Sequence, residues 1–141
     1  MLNIVFVCHG NICRSPAAEY IMKSLSDNFN VISRATSFEE IGNDIYPPMK
    51  KVLKENGYSF SHHYAQRINQ KDFNEADYIF YMDDENYRAL HYLFGESEKI
   101  KPINIFTPSV KEIEDPWYTN RYIFVLKQIE KCVNDIIKNL N

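Results

Sequence analysis

The residues with the most chemistry in them form one short run, Cys8-His9-Gly10-Asn11-Ile12-Cys13-Arg14-Ser15-Pro16. A cysteine, five residues and then an arginine is a spacing that can hold a tetrahedral oxyanion against a sulfur nucleophile. Only the thiolate is a good nucleophile. At a helix N-terminus beside a cation, a thiol can drop from about 8.5 to roughly 4–7. The backbone N–H groups of His9, Gly10, Asn11, Ile12, Cys13 and Arg14 are expected to curl over Cys8, and the Ser15 hydroxyl to donate to its sulfur. Arg14 offers a planar fork for two phosphate oxygens, which lysine cannot do. Gly10 allows close backbone approach, and Asn11 tolerates the left-handed conformation that a tight anion nest requires.

A second constellation lies about a hundred residues on, at Glu114-Asp115-Pro116-Trp117-Tyr118. A thiolate that displaces an aryl oxygen from phosphorus needs a proton donor for that oxygen, because phenols ionise only near pH 10. Asp115 fits as the acid, and then as the base for the water that clears the phosphocysteine. Trp117 and Tyr118 offer flat walls for an aromatic ring.

These residues need elements to position them. Ile4 to Val7 is short, β-branched and uninterrupted, and reads as a buried strand. A helix follows, with Pro16 at its first position and Ala17, Ala18, Ile21, Met22 and Leu25 on its apolar face. The cysteine run is thus a strand-to-helix turn, where N–H groups and the helix dipole converge on one point. Strands are expected at residues 30–33, 78–82 and 102–106. Helices are expected over 44–56, stopped by Gly57, and over 119–139. Asp83, Asp84 and Glu85 place negative charge at the start of another helix, where the dipole favours it. This alternation predicts a single α/β domain over residues 1–141. Its architecture is a four-stranded parallel sheet with helices on both faces and a phosphate-binding loop between the first strand and first helix. Ligands bind such sheets at the carboxyl ends of strands, and Cys8 lies at one.

Composition narrows the function. With 16 basic against 19 acidic residues the net charge is −3, and no cationic run exists, so no nucleic-acid partner is expected. No signal peptide and no membrane span are read, and no membrane partner is expected. Three cysteines, an odd number, do not make a disulfide framework. A working thiolate needs a reducing compartment, which points to the cytoplasm. Cys8 and Cys13 lack the second pair a zinc site needs, so no metal and no cofactor are expected. Cys13 is either loop packing or a redox partner of Cys8. Cys132 falls on the apolar stripe of the last helix and reads as core. His9 reads as a rim residue, and His62 and His91 as surface.

The chain closely resembles the low-molecular-weight protein tyrosine phosphatases. The resemblance rests on residues 8–16 and on Asp115 to Tyr118. It extends through Ser33-Arg34-Ala35-Thr36-Ser37, Ile41-Gly42-Asn43, residues 63–68, Asp72-Phe73 and Ala76-Asp77. It implies Cys8 as nucleophile, Arg14 as phosphate clamp and Asp115 as general acid. It also implies a bracing network of Asn11, Ser15, Ser33 and His63. Ile12, Trp117 and Tyr118 are expected to wall the substrate pocket, with Glu39 at the place where the family often has an aromatic or aliphatic residue. Phe38 and Glu40 stand beside it. The implied partner is a phosphotyrosine-containing protein, and the implied state a monomer or weak self-association. Three alternatives stay open: a thiol-linked arsenate reductase, an arginine phosphatase and a phosphoprotein-binding module without turnover. The first needs a cysteine pair in the middle of the chain, and there is none between Arg14 and Lys131. The second has threonine where Ile12 stands. Intact Cys8, Arg14 and Asp115 argue against the third.

Overall fold

A computed structural model describes all residues, 1–141. Strand β1, Leu2–Cys8, runs through the middle of a four-stranded parallel sheet. Its partners are β2, Phe29–Ala35, on one side and β3, Tyr78–Tyr81, on the other; β4, Ile100–Pro102, closes the far edge in the order β2-β1-β3-β4. The register pairs Cys8 with Ala35, so the nucleophilic position sits at the carboxyl end of both strands.

The period-two pleat of β1 sorts its residues between two cores. Ile4, Phe6 and Cys8 face one, filled by helix α1, Arg14–Leu25, by α2, Pro47–Glu55, and by α6, Tyr122–Leu140. Val5 and Val7 face the other, with Ile79, Ile100 and Leu90, the last from α4, Asp84–Phe94. Two short helices complete the fold: α3, Gln70–Glu75, and α5, Pro116–Thr119. Helices therefore cover both faces, as alternating strands and helices require. No helix is long and apolar enough to cross a membrane.

Several boundaries differ from those expected. Helix α1 begins at Arg14, so Pro16 is its third residue; the missing N–H falls in the first turn, where no intrahelical partner exists. Helix α2 begins at Pro47 rather than residue 44, because a residue before proline is driven to extended backbone, and Tyr46 sits at φ −60°, ψ 133°. Gly57 ends that segment at φ +83°, as its type suggests. The expected fourth strand is displaced: Ile100–Pro102 pair, whereas residues 103–106 turn off the sheet. The side chain of Asn104 donates to the Val110 carbonyl at 2.7 Å, tying a turn where a ladder would have continued. The final helix starts at Tyr122 because Asn120, left-handed at φ +60°, ends α5 first. Helix α3 was not anticipated. Its signal is Asn69 three residues before Asp72, a capping box in which each side chain accepts from the other residue's backbone N–H.

Candidate active site

The site grows from the turn after β1. The sulfur of Cys8 is buried and accepts from the Asn11 and Ser15 backbone N–H groups at 3.3 and 3.4 Å. The Ser15 hydroxyl lies 3.1 Å from it. One of these N–H donors belongs to the loop and the other to the first turn of α1, so the sulfur sits where backbone donors converge.

The turn closes through Asn11, left-handed at φ +59° and fully buried. Its side-chain amide donates to Ser15 Oγ at 2.8 Å and Ser33 Oγ at 3.0 Å, and its Oδ1 accepts from the Gln66 N–H at 3.1 Å. The Asn11 carbonyl accepts from His63 Nε2 at 2.7 Å, which makes that nitrogen the protonated one. Ser33 in turn donates to Glu19 at 2.6 Å, and Glu19 pairs with Lys23 one turn along α1. Asn11, Ser15, Ser33 and His63 are thus brought together, with Gln66 and Glu19 added. A buried glutamate at position 19 has no sequence signal beyond its place on the apolar side of the helix.

His63 is held by Asp44, which accepts from the His63 N–H at 3.0 Å and the Ile45 N–H at 2.7 Å. Burial works against this carboxylate, yet the Lys50 ammonium and those two N–H groups hold it down at about 2. A lowered folded value means that its stabilisation is complete above the ordinary carboxylate range and is lost as pH falls from about 4 through that value. Asp44→Asn is therefore expected to lower the melting temperature at neutral pH and to narrow its gap from the parent as the solution is acidified. A gap independent of pH between neutrality and strong acid would remove this role.

Arg14 is buried and fixed from behind. Its Nη1 donates to Asp83 Oδ2 at 2.7 Å and to the Ile113 carbonyl at 2.8 Å. Asp83 also caps α4, so the carboxylate expected at this helix start carries a second task that the sequence did not reveal. Nη2 lies 3.6 Å from Asp115 Oδ2. Asp115 caps α5, its other oxygen accepting from the Trp117 N–H at 3.0 Å. The carboxyl is therefore aimed by the helix start behind it.

A cavity opens over the sulfur. It is lined by Cys8, Gly10, Ile12, Cys13 and Arg14 at its floor, by His9 at its mouth, and by Glu39, Glu40, Asp115, Trp117 and Tyr118 as walls. Trp117 leans on Tyr46, 5.1 Å between ring centres, and the Tyr46 N–H donates to the Ile12 carbonyl at 2.8 Å. Tyr46 thereby ties the wall to the floor, a part that sequence reading missed. Phe38 does not line the cavity. Its ring, 68% exposed, lies under the Arg67 guanidinium at 4.2 Å, and Arg67 is itself anchored on the Thr36 carbonyl. The cation–π contact turns that ring outward and leaves the two glutamates as the wall. Glu114 also stands outside the cavity, gripped by both nitrogens of the Arg121 fork.

Cys13 is buried beside the nucleophilic position. Burial pushes its thiol well above the ordinary range, and negative charge on Cys8 pushes it further. Cys132 is fully buried in the larger core. His62 and His91 are exposed. His9 stands at the cavity mouth with both ring nitrogens near carboxylates, 3.0 Å from Glu39 and 3.3 Å from Glu85.

A doubly covered parallel sheet with a cysteine–arginine anion loop between its first strand and helix defines a class of α/β phosphatases. A family model described as low molecular weight phosphotyrosine protein phosphatase matches residues 3–141. The chain belongs to that family. It is 37% identical over 143 residues to the human low molecular weight phosphotyrosine protein phosphatase, covering 92% of this chain and 90% of that one. Among solved structures, YfkJ from Bacillus subtilis is similar at a TM-score of 0.92 and 29% identity, covering 99% of this chain and 94% of its own. SP-PTP, a low molecular weight protein tyrosine phosphatase from Streptococcus pyogenes, is similar at 0.90 and 34%, covering 100% and 94%.

Proposed function

We propose that this chain hydrolyses phosphotyrosine in proteins through a phosphocysteine intermediate. The observation that carries the reading is the convergence on one cavity of a twice-donated Cys8 sulfur, a doubly anchored Arg14 and an aimed Asp115. The Cys8 thiolate attacks phosphorus, and the bond to the tyrosyl oxygen breaks as Asp115 gives that oxygen a proton. Arg14 and the loop N–H groups hold the three phosphoryl oxygens throughout. Water then attacks the S–P bond, Asp115 takes its proton, and inorganic phosphate leaves with Cys8 restored. The whole chain acts as one catalytic domain, a monomer or weakly self-associating, in the reducing cytoplasm.

Substrate class follows from the walls. Ile12 and Trp117 present apolar surface at a depth that suits an aryl stem, and a phosphoserine stem is too short to cover it. Phosphotyrosine peptides are expected to exceed matched phosphoserine peptides by more than about a hundredfold in kcat/KM, because roughly 3 kcal/mol of aromatic burial is at stake. Phosphoarginine and arsenate belong in the same assay. Faster turnover of either than of phosphotyrosine replaces this reading with the arginine phosphatase or the arsenate reductase. Glu39 and Glu40 give the wall negative charge, which favours basic residues beside the phosphotyrosine and weakens with salt.

Oxidation supplies a further expected result. Peroxide converts the Cys8 thiolate to a sulfenic acid and leaves as hydroxide. Cys13 then attacks that sulfur, and the expelled hydroxide takes up the Cys13 proton as water. Burial is the main reason that Cys13 stays protonated; conversion of Cys8 removes the charge that adds to it, which eases the second step. Mass spectrometry after mild peroxide is expected to find a thiol-reversible Cys8–Cys13 disulfide. Sulfinic acid on Cys8 with Cys13 unmodified would make Cys13 packing alone.

A further inference from the structure

The His9 side chain takes no part in the chemistry above, yet it holds two carboxylates. Its Nε2 lies 3.0 Å from Glu39 Oε2 and its Nδ1 3.3 Å from Glu85 Oε1. A neutral imidazole has one N–H and one lone pair, so one of these contacts would set a lone pair against a carboxylate. Only the imidazolium donates to both. The two carboxylates come from different elements, Glu39 from the turn after β2 and Glu85 from the first turn of α4. The backbone of His9 is committed to the same turn: its carbonyl accepts from the Ser37 N–H at 3.1 Å and the Ser37 hydroxyl at 2.8 Å. The wall segment that carries Glu39 is thus hung on His9 at both backbone and ring.

We propose that His9 is a specificity-determining residue: as an imidazolium it holds Glu39 on the cavity wall and withholds it from the substrate, and a cationic residue beside the phosphotyrosine competes for that carboxylate. The inference rests on the phosphotyrosine reading. With the imidazolium in place, Glu39, Glu85 and His9 together carry one negative charge; with a neutral side chain at position 9 they carry two and Glu39 is free to pair outward. The charged groups around the ring are Glu39 and Glu40 from the wall, Glu85 from α4, Asp115 from the acid loop, and Cys8 and Arg14 from its own loop. Of these, Glu39 and Glu85 touch it. The ring is about one-third exposed and both glutamates more so, which sets the scale at that of a partly screened ion pair.

The test compares two phosphotyrosine peptides that differ only by lysine or glutamine next to the phosphotyrosine. Their ratio cancels every effect on turnover that both peptides share. The ratio is read twice at one fixed pH: as kcat/KM, and as Kd, by calorimetry, in the Cys8→Ser background. His9→Gln removes the cation and is expected to raise the lysine preference over the parent by about two- to fivefold, the size of one exposed ion pair, with the gain flattening in high salt. His9→Lys, a permanent cation, is expected to keep the parent's preference. Glu39→Gln added to His9→Gln is expected to abolish the gain. A His9→Gln preference equal to the parent's, or a gain that persists when Glu39→Gln is added, overturns the role of His9 while leaving phosphotyrosine hydrolysis intact. Peptides that are neither turned over nor bound overturn the phosphotyrosine reading, and this inference with it.

Discussion

Cys8→Ser is expected to lose turnover by on the order of a millionfold, the scale seen when an enzyme's nucleophile is removed. Serine is not ionised near neutrality, and nothing around the residue is placed to act as its base: the groups on the sulfur are two N–H donors and a hydroxyl. The same donors will hold the serine oxygen, and Asn11 will keep the turn closed, so the fold and oxyanion binding are expected to persist. The measurement pairs a steady-state assay with a thermal shift in vanadate. Hydrolysis above a trace by a variant that still binds vanadate would sink the phosphocysteine route. Acid quenching of the parent during turnover is expected to trap phosphate on Cys8.

Asp115→Asn is expected to cost about 100- to 10,000-fold in kcat/KM on phosphotyrosine, which reports the departure of the leaving group and not the shared hydrolysis of the phosphocysteine; that is the usual worth of a positioned general acid. On an ester with an activated leaving group, which departs without a proton, the loss is expected to be at least tenfold smaller. The substitution is a clean one. Asparagine caps helices as well as aspartate does, so the bond from the Trp117 N–H and the start of α5 survive. It also removes a negative charge 3.6 Å from Arg14, which frees the guanidinium for phosphate. KM is therefore expected not to rise, so that the loss falls on kcat and none of it on substrate binding. Equal losses of kcat/KM on both esters would take Asp115 out of the departure of the tyrosyl oxygen.

What was legible in the sequence is what depends on near neighbours in the chain. The turn from β1 to α1 announces itself through cysteine, glycine, asparagine, arginine and proline within nine residues. The acid loop does so through Asp-Pro and two aromatics. The parallel sheet follows from alternation and from the uninterrupted apolar stretch of β1. What was hidden depends on contacts between distant residues. Nothing in the sequence ties Gln66 to Asn11, Glu19 to Ser33 or Asp83 to Arg14, because each is an ordinary polar residue until the fold brings it there. Phe38 was misplaced for a related reason: its outward turn is decided by Arg67, twenty-nine residues on. The fourth strand was misplaced because Ile103 is fully buried, and apolar character alone cannot separate a strand from the turn that leaves it.

Asn11 has one more consequence, for how the molecule comes together. Its left-handed backbone costs energy in isolation and is maintained here by Ser33, His63 and Gln66. These lie 22, 52 and 55 positions along the chain, so the first twenty-five residues by themselves contain the whole chemical motif but none of its outer supports. Parallel pairing of β1 with both β2 and β3 demands long crossovers, and such contacts form late because loop closure must come first. The anion nest is accordingly expected to be among the last features to take shape, so that an oxyanion binds the finished fold alone. At a concentration a hundred times its Kd, such a ligand raises folding stability by about 2.7 kcal/mol. In refolding, vanadate is expected to slow unfolding and leave the folding rate unchanged, so the nucleophile's cradle doubles as a reporter on the final step of assembly.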